Sequence, residues 1–594
     1  MKKQFLYTLI LFVLFYSFQL NLSAQLMKDK EVFTHADTLR GSNNENRDWW
    51  DVLRYDITVK PDYENKTIEG KVVIKFKLSQ SILNQKTLAN KYLNGFSMQI
   101  DLQSPLKIDS VIYKDSCVKG IYHGKKRNTY VSCLHNLNIN SFENAHLIKL
   151  SSENMIKLGN ATDSIVIYYH GKPREAITPP WDGGWIWKKD KQDRPWMSVA
   201  CQGLGASVWY PCKDYQGDEP DNGASLSITV PDTLVAVGNG KLLSVDSNKN
   251  NHTNLFKWTV QNPINNYNII PYLGKYVNFT DTFMGEKGKL NLSYWVLDYN
   301  LEKAKEQFKQ AKLMLRAFEY WFGPYPFYED DYKLVEAPHL GMEHQSAIAY
   351  GNQFKNGYLG RDLSFSGWGN KWDYIIVHES GHEWFGNNIT TKDIADMWVH
   401  EGFTTYSETL FTEYYYGQKA ANEYNRGMRL NVLNNKNIIG TYGVNKEGSE
   451  DMYFKGSNMI HTIRHSLNND PLFRTILRGL NKTFYHQTVT TQDVESYINK
   501  MSGMNFTSVF NQYLRTTNIP ELEFTADTIT NTLSYKWNNT VDSFNLRLVL
   551  QPSGKYLMPT NSLQSIQLTK EEINWIINKG ISKEFYIKEK SLKK

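Results

Sequence analysis

The chain of 594 residues is 41% hydrophobic and 14% aromatic, and it sets 67 Lys and Arg against 61 Asp and Glu. Its length exceeds a single small module and implies about three or four domains of roughly 100–200 residues, while the apolar content excludes wholesale disorder. Much of the +6 net charge sits at the two ends, in Lys2 and Lys3 and in Lys588, Lys590, Lys593 and Lys594, too thin an excess for a nucleic-acid partner.

Residues 1–24 read as a secretory signal, with Lys2 and Lys3 ahead of an apolar run from Phe5 to Leu20 and a small-residue exit at Ser23 and Ala24. An exported chain, periplasmic or secreted and starting near Gln25, is therefore expected. Beyond that point no apolar stretch approaches the roughly 20 residues of a membrane span, so no stable membrane insertion is expected. Export would permit Cys117 to pair with Cys133 and Cys201 with Cys212, with free buried thiols as the alternative; no C-x-x-C pair suggests a thiolate metal site.

From Trp49 to about Gly285 the pattern has period two, as in Tyr55, Ile57, Val59 and Ile74, Phe76, Leu78, with turn clusters such as Pro61 to Asn65 between runs. This predicts an N-terminal antiparallel β domain over 25–285. Around Leu301 the period changes. Ala304, Phe308, Ala311, Leu315, Phe318 and Phe322 recur at threes and fours until Gly323-Pro324 stops the helix, and helical patterns continue through a mixed domain over 286–517. After Pro520, Leu522 and Phe524 and later Leu546, Leu548 and Leu550 return to period two, which predicts a small β domain over 518–594. No long linker separates the three, so they should pack directly on one another.

The chemistry centres on His378-Glu379-Ser380-Gly381-His382, preceded by the apolar run Tyr374 to Val377. Two histidines four apart share one helical face and can hold one Zn²⁺, with Glu379 between them as general base. A metzincin third ligand is excluded, because Phe385 and Asn388 stand where that pattern needs glycine and histidine. Glu401, in Trp398-Val399-His400-Glu401-Gly402-Phe403, is the next candidate for a His₂Glu zinc set. It shares a helix face with Thr405 and Glu408, and its neighbour His400 is the rival ligand.

His378 to His382 followed after eighteen residues by Glu401 resembles the M1 family of zinc aminopeptidases, the gluzincins. Leu340-Gly341-Met342-Glu343-His344 is similar to the family's G-x-M-E-N exopeptidase motif, and Tyr453-Phe454-Lys455-Gly456 to its Y-x-K-G segment. The likeness extends through Tyr55 to Phe76 and through Ala200-Cys201-Gln202 to Tyr210-Pro211-Cys212, and so covers most of the chain after the signal. It implies a multidomain α+β protein with an N-terminal antiparallel β domain, a thermolysin-like catalytic domain and a small C-terminal β-sandwich. It further implies one zinc ion held by His378, His382 and Glu401, catalysis by Glu379 and Tyr453, and a substrate edge at Gly341 and Met342. Glu343 and Gln202 would bind the free α-ammonium, making peptides with a free N-terminus the substrates. A thermolysin-like endopeptidase and an inactive M1-fold binding protein are the alternatives; the presence of all the metal and base residues speaks against the second.

The motif departs from the family pattern at Leu340 and His344, which bears on the backbone edge where a peptide would lie as an added strand. The aromatic stretch Pro179-Pro180-Trp181-Asp182-Gly183-Gly184-Trp185-Ile186-Trp187 reads as a turn with packed aromatics that could also rim a substrate channel. Asn388-Ile389-Thr390 is a glycosylation sequon where a glycan would crowd the site, which favours a bacterial exported protein.

Overall fold

The structure is a computed structural model that describes residues 32–592 apart from 84–94, 122–128, 135–137, 152–154, 156–157 and 159–160. The signal segment 1–24 lies outside the described residues, as do Lys593 and Lys594. Among the described residues no helix is long and apolar enough to cross a membrane.

The N-terminal domain is built on a nine-stranded sheet. Its central ribbon pairs Trp50–Asp62 antiparallel with Thr67–Leu78 through the turn that Asp62 closes by accepting from the backbone of Asn65 at 3.0 Å. The period-two reading translates directly into burial: Tyr55, Ile57, Val59, Ile74 and Phe76 face the core, and Asp56 and Thr58 point outward. The sheet is antiparallel except where Trp50–Asp62 meets Ala224–Pro231 in parallel. A second, four-stranded sheet contains the hairpin Gly184–Lys189 and Pro195–Ala200. Cys201 and Cys212 are free and buried, so the second of the two pairings that export would permit is not formed; Cys117 is disulfide-bonded.

The central domain carries a five-stranded sheet in the order Tyr276–Gly285, Gly288–Leu297, Tyr332–Glu336, Ile348–Tyr350, Gly341–Met342. Tyr276–Gly285, read from sequence as the end of the N-terminal domain, thus hydrogen-bonds into the central sheet. Period two runs through both sheets, and nothing local in the sequence says which partner a strand takes. The predicted helix up to Phe322 forms as two, Leu301–Gln307 and Gln310–Phe322, broken at Phe308 and Lys309. Ala304, Phe308, Ala311, Leu315, Phe318 and Phe322 are nevertheless all buried together.

This sheet is buried on both faces, and the alternation of its side chains divides the molecule. Leu334, Ile348 and Tyr350 join a core shared with the helices, whereas Val335, Met342 and Ala349 join the core of the N-terminal domain. The C-terminal unit is a four-stranded sheet (Gln564–Gln567, Thr532–Asn538, Glu521–Asp527, Lys588–Ser591), a two-stranded ribbon and the helix Lys570–Lys579. Its Leu522, Trp537, Leu550 and Phe585 belong to the same apolar cluster as Leu467, Phe510 and Leu514 of the central domain's helices.

Because these two units share one core, a fragment ending at residue 517 exposes a large apolar face. It should lose the sharp thermal unfolding transition of the full chain, read by circular dichroism or calorimetry. A transition of unchanged sharpness in the fragment would mean that the catalytic unit closes a core of its own.

Candidate active site

The helix Tyr374–Gly381 is only eight residues long, and its position is set by its cap. Asp373 accepts from the backbone N–H groups of Ile375 at 3.1 Å and Ile376 at 3.3 Å. Gln307, Tyr350 and Asn352 each donate to the same carboxylate at 2.7 Å, tying the helix to the sheet and to the preceding helix. His378 and His382 then project from one face toward Glu401 on the long helix Trp398–Tyr416. Their Nε2 atoms lie 3.6 and 3.4 Å from Glu401 Oε2.

The other ring nitrogens are engaged. His378 Nδ1 pairs with Glu408 Oε1 at 2.7 Å, and His382 Nδ1 with the carbonyl of Phe385 at 3.0 Å. Engagement of Nδ1 leaves both Nε2 atoms turned to Glu401, the arrangement of metal-ligating histidines. Glu408 also accepts from Tyr424 at 2.6 Å. Sequence reasoning placed Glu408 on the face of Glu401 but gave it no role.

The donor set fits zinc on two counts. Ligands of a tetrahedral zinc at about 2.0–2.1 Å stand about 3.3 Å from one another, close to the spacing found here. Moreover Glu401 Oε2 is buried and makes no hydrogen bond, an oxygen that needs a partner other than the protein supplies. Burial alone would raise the Glu401 carboxyl, but the imidazoles of His382 and His378 hold it well below the usual carboxylate range. His400, the rival ligand, faces away: its Nε2 accepts from the backbone N–H of Thr391 at 2.8 Å.

Glu379 lies against the edge strand Gly341–Met342. A Cβ on Gly341 would stand 2.6 Å from Glu379 Oε1 and 3.0 Å from Ile375 Cγ2, so any side chain there would push the carboxylate from this position. Burial pushes the Glu379 carboxyl up to about 7. The departures from the motif leave this edge intact: Gly341 pairs with Tyr350 and Met342 with Ala349. His344 is turned away into the domain interface, where its Nδ1 meets Tyr272 Oη at 2.5 Å.

Glu343 points into the same cavity. Its Oε1 accepts from Gln202 Nε2 at 2.6 Å and from Tyr267 Oη at 2.9 Å, and its backbone carbonyl accepts from Asn387 at 2.8 Å. A carboxylate oxygen of Glu343 lies within 4.8 Å of ligand atoms of Glu379 and His382. Burial raises the Glu343 carboxyl from its ordinary value. Tyr267 escaped sequence reasoning because nothing distinguishes it among 37 tyrosines; it comes from a turn of the N-terminal domain.

Tyr453 starts the helix Asp451–Leu467, and its ring lies over His378 with centroids 6.1 Å apart. Burial, and then the charge of Glu401, push its phenol well above the usual range, so it keeps its proton. The helix reaches this position by crossing Trp398–Tyr416 at two glycines. A Cβ on Gly402 would lie 3.2 Å from Met452 O, and one on Gly456 would lie 3.2 Å from Gly402 Cα. Lys455 does not reach the site; its Nζ donates to Asn434 Oδ1 and Thr516 O, both at 2.8 Å. Asn388 of the sequon is buried against Asn481 and offers no glycan acceptor.

Residues 304–513 match the Peptidase family M1 domain. Among curated proteins the chain is 22% identical over 396 residues to aminopeptidase B of Mus musculus (64% of this chain, 54% of that protein). It is 23% identical over 346 residues to leukotriene A-4 hydrolase of Xenopus laevis (54% and 53%). The chain thus spans about half the length of these two relatives. Among solved structures it is similar to a mutant M1 zinc metallopeptidase of Deinococcus radiodurans at a TM-score of 0.61 and 17% identity, covering 80% of this chain and 96% of that one. It is also similar to that mutant bound to a Tyr-Ser-Ala substrate, at a TM-score of 0.59.

Two expectations follow from the geometry. Glu401→Ala leaves two imidazoles, too few to retain zinc, so metal measured after gel filtration should fall sharply while circular dichroism stays that of a folded protein. Gly456→Ala forces the helix crossing apart by a few tenths of an ångström. It should cost about 1–3 kcal/mol in stability and displace Tyr453, lowering kcat while zinc content is kept.

Proposed function

From the premise that this chain has an M1-family zinc metallopeptidase fold, we propose that it is an aminopeptidase that removes one residue at a time from peptides with a free N-terminus. The observation that carries this reading is the carboxylate of Glu343, held by Gln202 and Tyr267 within 4.8 Å of ligand atoms of Glu379 and His382. In a peptide the α-nitrogen and the carbonyl carbon of one residue are only about 2.5 Å apart. With the ammonium on Glu343, the first carbonyl is therefore the one that falls nearest the metal donors. A carboxylate facing that ammonium rewards a chain end over an internal amide, which leaves the carboxylate unpaired.

His378, His382 and Glu401 would hold a Zn²⁺ ion, which would supply a Lewis acid for the scissile carbonyl and the attacking water. Glu379, fixed against Gly341, takes the proton from the attacking water and delivers it to the leaving amine. Tyr453 donates its phenol hydrogen to the developing oxyanion. Glu343 and Gln202 hold the ammonium throughout, so that the reacting atoms meet in one orientation. The basic, apolar and small-residue succession over 1–24 supports an exported enzyme, periplasmic or secreted.

Glu343→Ala should cost about 2–5 kcal/mol in kcat/KM on a free-amine dipeptide amide, the range for removing one partner of a desolvated charge pair. Zinc content should not change. N-acetylation of the same substrate should abolish most activity of the unmodified protein and make little further difference in the variant. Equal rates on blocked and free substrates would refute the aminopeptidase reading and leave an endopeptidase on the same metal site.

A further inference from the structure

The cleft of about 100 Å³ around the metal donors is lined partly by groups that the chemistry does not use, among them Pro180, Trp181, Leu340, Met342, Ile375 and Phe454. Among the described residues its lining has no charged side chain beyond the metal donors and Glu343 and Glu379. Trp181 comes from the N-terminal domain, on the Pro-rich turn. That turn is fixed: the Trp181 N–H donates to Thr178 O at 3.1 Å, and the Asp182 carboxylate accepts from the N–H groups of Ile177 at 2.6 Å and Thr178 at 3.0 Å.

The turn also has a defined neighbour. Gly184 pairs with Ala200 across the hairpin, and a Cβ on Gly183 would lie 2.9 Å from Leu204 Cδ1 and 3.1 Å from Ala200 O. The Trp181 turn therefore packs on the turn that carries Gln202, the residue hydrogen-bonded to Glu343. Pro180 is buried beneath it, while Trp181 is half-buried and keeps part of its ring open to the cleft.

We propose that Trp181 is a specificity-determining residue: its indole forms the wall that receives the side chain of the substrate's N-terminal residue and selects large apolar side chains there. The inference rests on the aminopeptidase reading, since it places the substrate's first Cα between Glu343 and the metal donors. A side chain leaving that Cα enters a cleft whose lining from the N-terminal domain is Pro180, Trp181 and Gln202, with Met342 of the edge strand in the same lining. Burying leucine, methionine or phenylalanine against an indole is favourable. An acidic side chain would instead face the carboxylates of Glu343, Glu379 and Glu401 with no Lys or Arg in the lining.

The test is a panel of fluorogenic aminoacyl amides bearing Leu, Met, Phe, Ala, Arg or Glu, run on the zinc-loaded full chain and on Trp181→Ala and Trp181→Phe, with zinc content measured for each. The unmodified protein should favour Leu, Met and Phe over Ala by about 10-fold or more in kcat/KM and barely turn over Glu. Trp181→Ala should lose about 10-fold or more on the large apolar substrates, chiefly through KM, with the Ala substrate little changed; Trp181→Phe should recover part of the loss. A uniform loss on every substrate in Trp181→Ala, unrelieved in Trp181→Phe, would assign the ring a structural role and overturn the proposal. So would a preference of the unmodified protein for Arg or Glu. Inactivity on every free-amine amide together with cleavage of a blocked internal peptide would instead overturn the aminopeptidase reading beneath it.

Discussion

Backbones that approach more closely than side chains allow are what assemble this site. A glutamate reaches only a few ångströms from its own Cα, so carboxylates from separate elements converge only if those elements nearly touch. At Gly402 and Gly456 two helices cross with 3.2 Å between a would-be Cβ and the facing backbone, which brings the phenol of Tyr453 to the ring of His378. At Gly341 the strand backbone itself approaches the Glu379 carboxylate, and a methyl group there would displace it. Both contacts involve glycines that belong to the recognisable motifs, which ties the motifs to packing as well as to chemistry.

Gathering buried carboxylates in one cavity is costly, and each acid here has its own compensation. Glu401 faces two imidazoles and stays ionised. Glu408 stands one layer behind, between His378 and Tyr424. Glu343 takes neutral donors, an amide and a phenol, which stabilise its charge without cancelling it and leave it able to pair with an incoming cation. Glu379 has no such donors, and burial raises it. One cavity thus holds acids of three different characters, set by neighbours rather than by residue type.

The metal donors were the most legible part of this arrangement, because His378, His382 and Glu401 sit on two helices whose spacing can be counted along the chain. The alternation of strands was legible for the same reason. Tyr267 was not, since its role depends on a turn of one domain meeting a loop of another, and no local period records that meeting. Tyr276–Gly285 was assigned by its neighbours in sequence and pairs instead with strands that follow it. The Pro-rich turn read as packing and is packing, in that Pro180 is buried; that Trp181 also opens on the cleft follows from a contact with the Gln202 turn that only the folded chain displays.

The two-faced central sheet constrains how this chain can vary in length. Within the short strands Tyr332–Glu336, Gly341–Met342 and Ile348–Tyr350 the side chains alternate between the core of the helices and the core of the N-terminal domain. Loss or gain of one residue there would exchange the faces, presenting Met342 to Glu379 and turning Gly341 toward the neighbouring domain. At the turn after Asp62, by contrast, extra residues would merely lengthen an exposed connection. Insertions and deletions among descendants of this sequence should therefore collect at the rim of the N-terminal sheet and be purged from the short strands beside the cleft, even where the residues themselves are free to change.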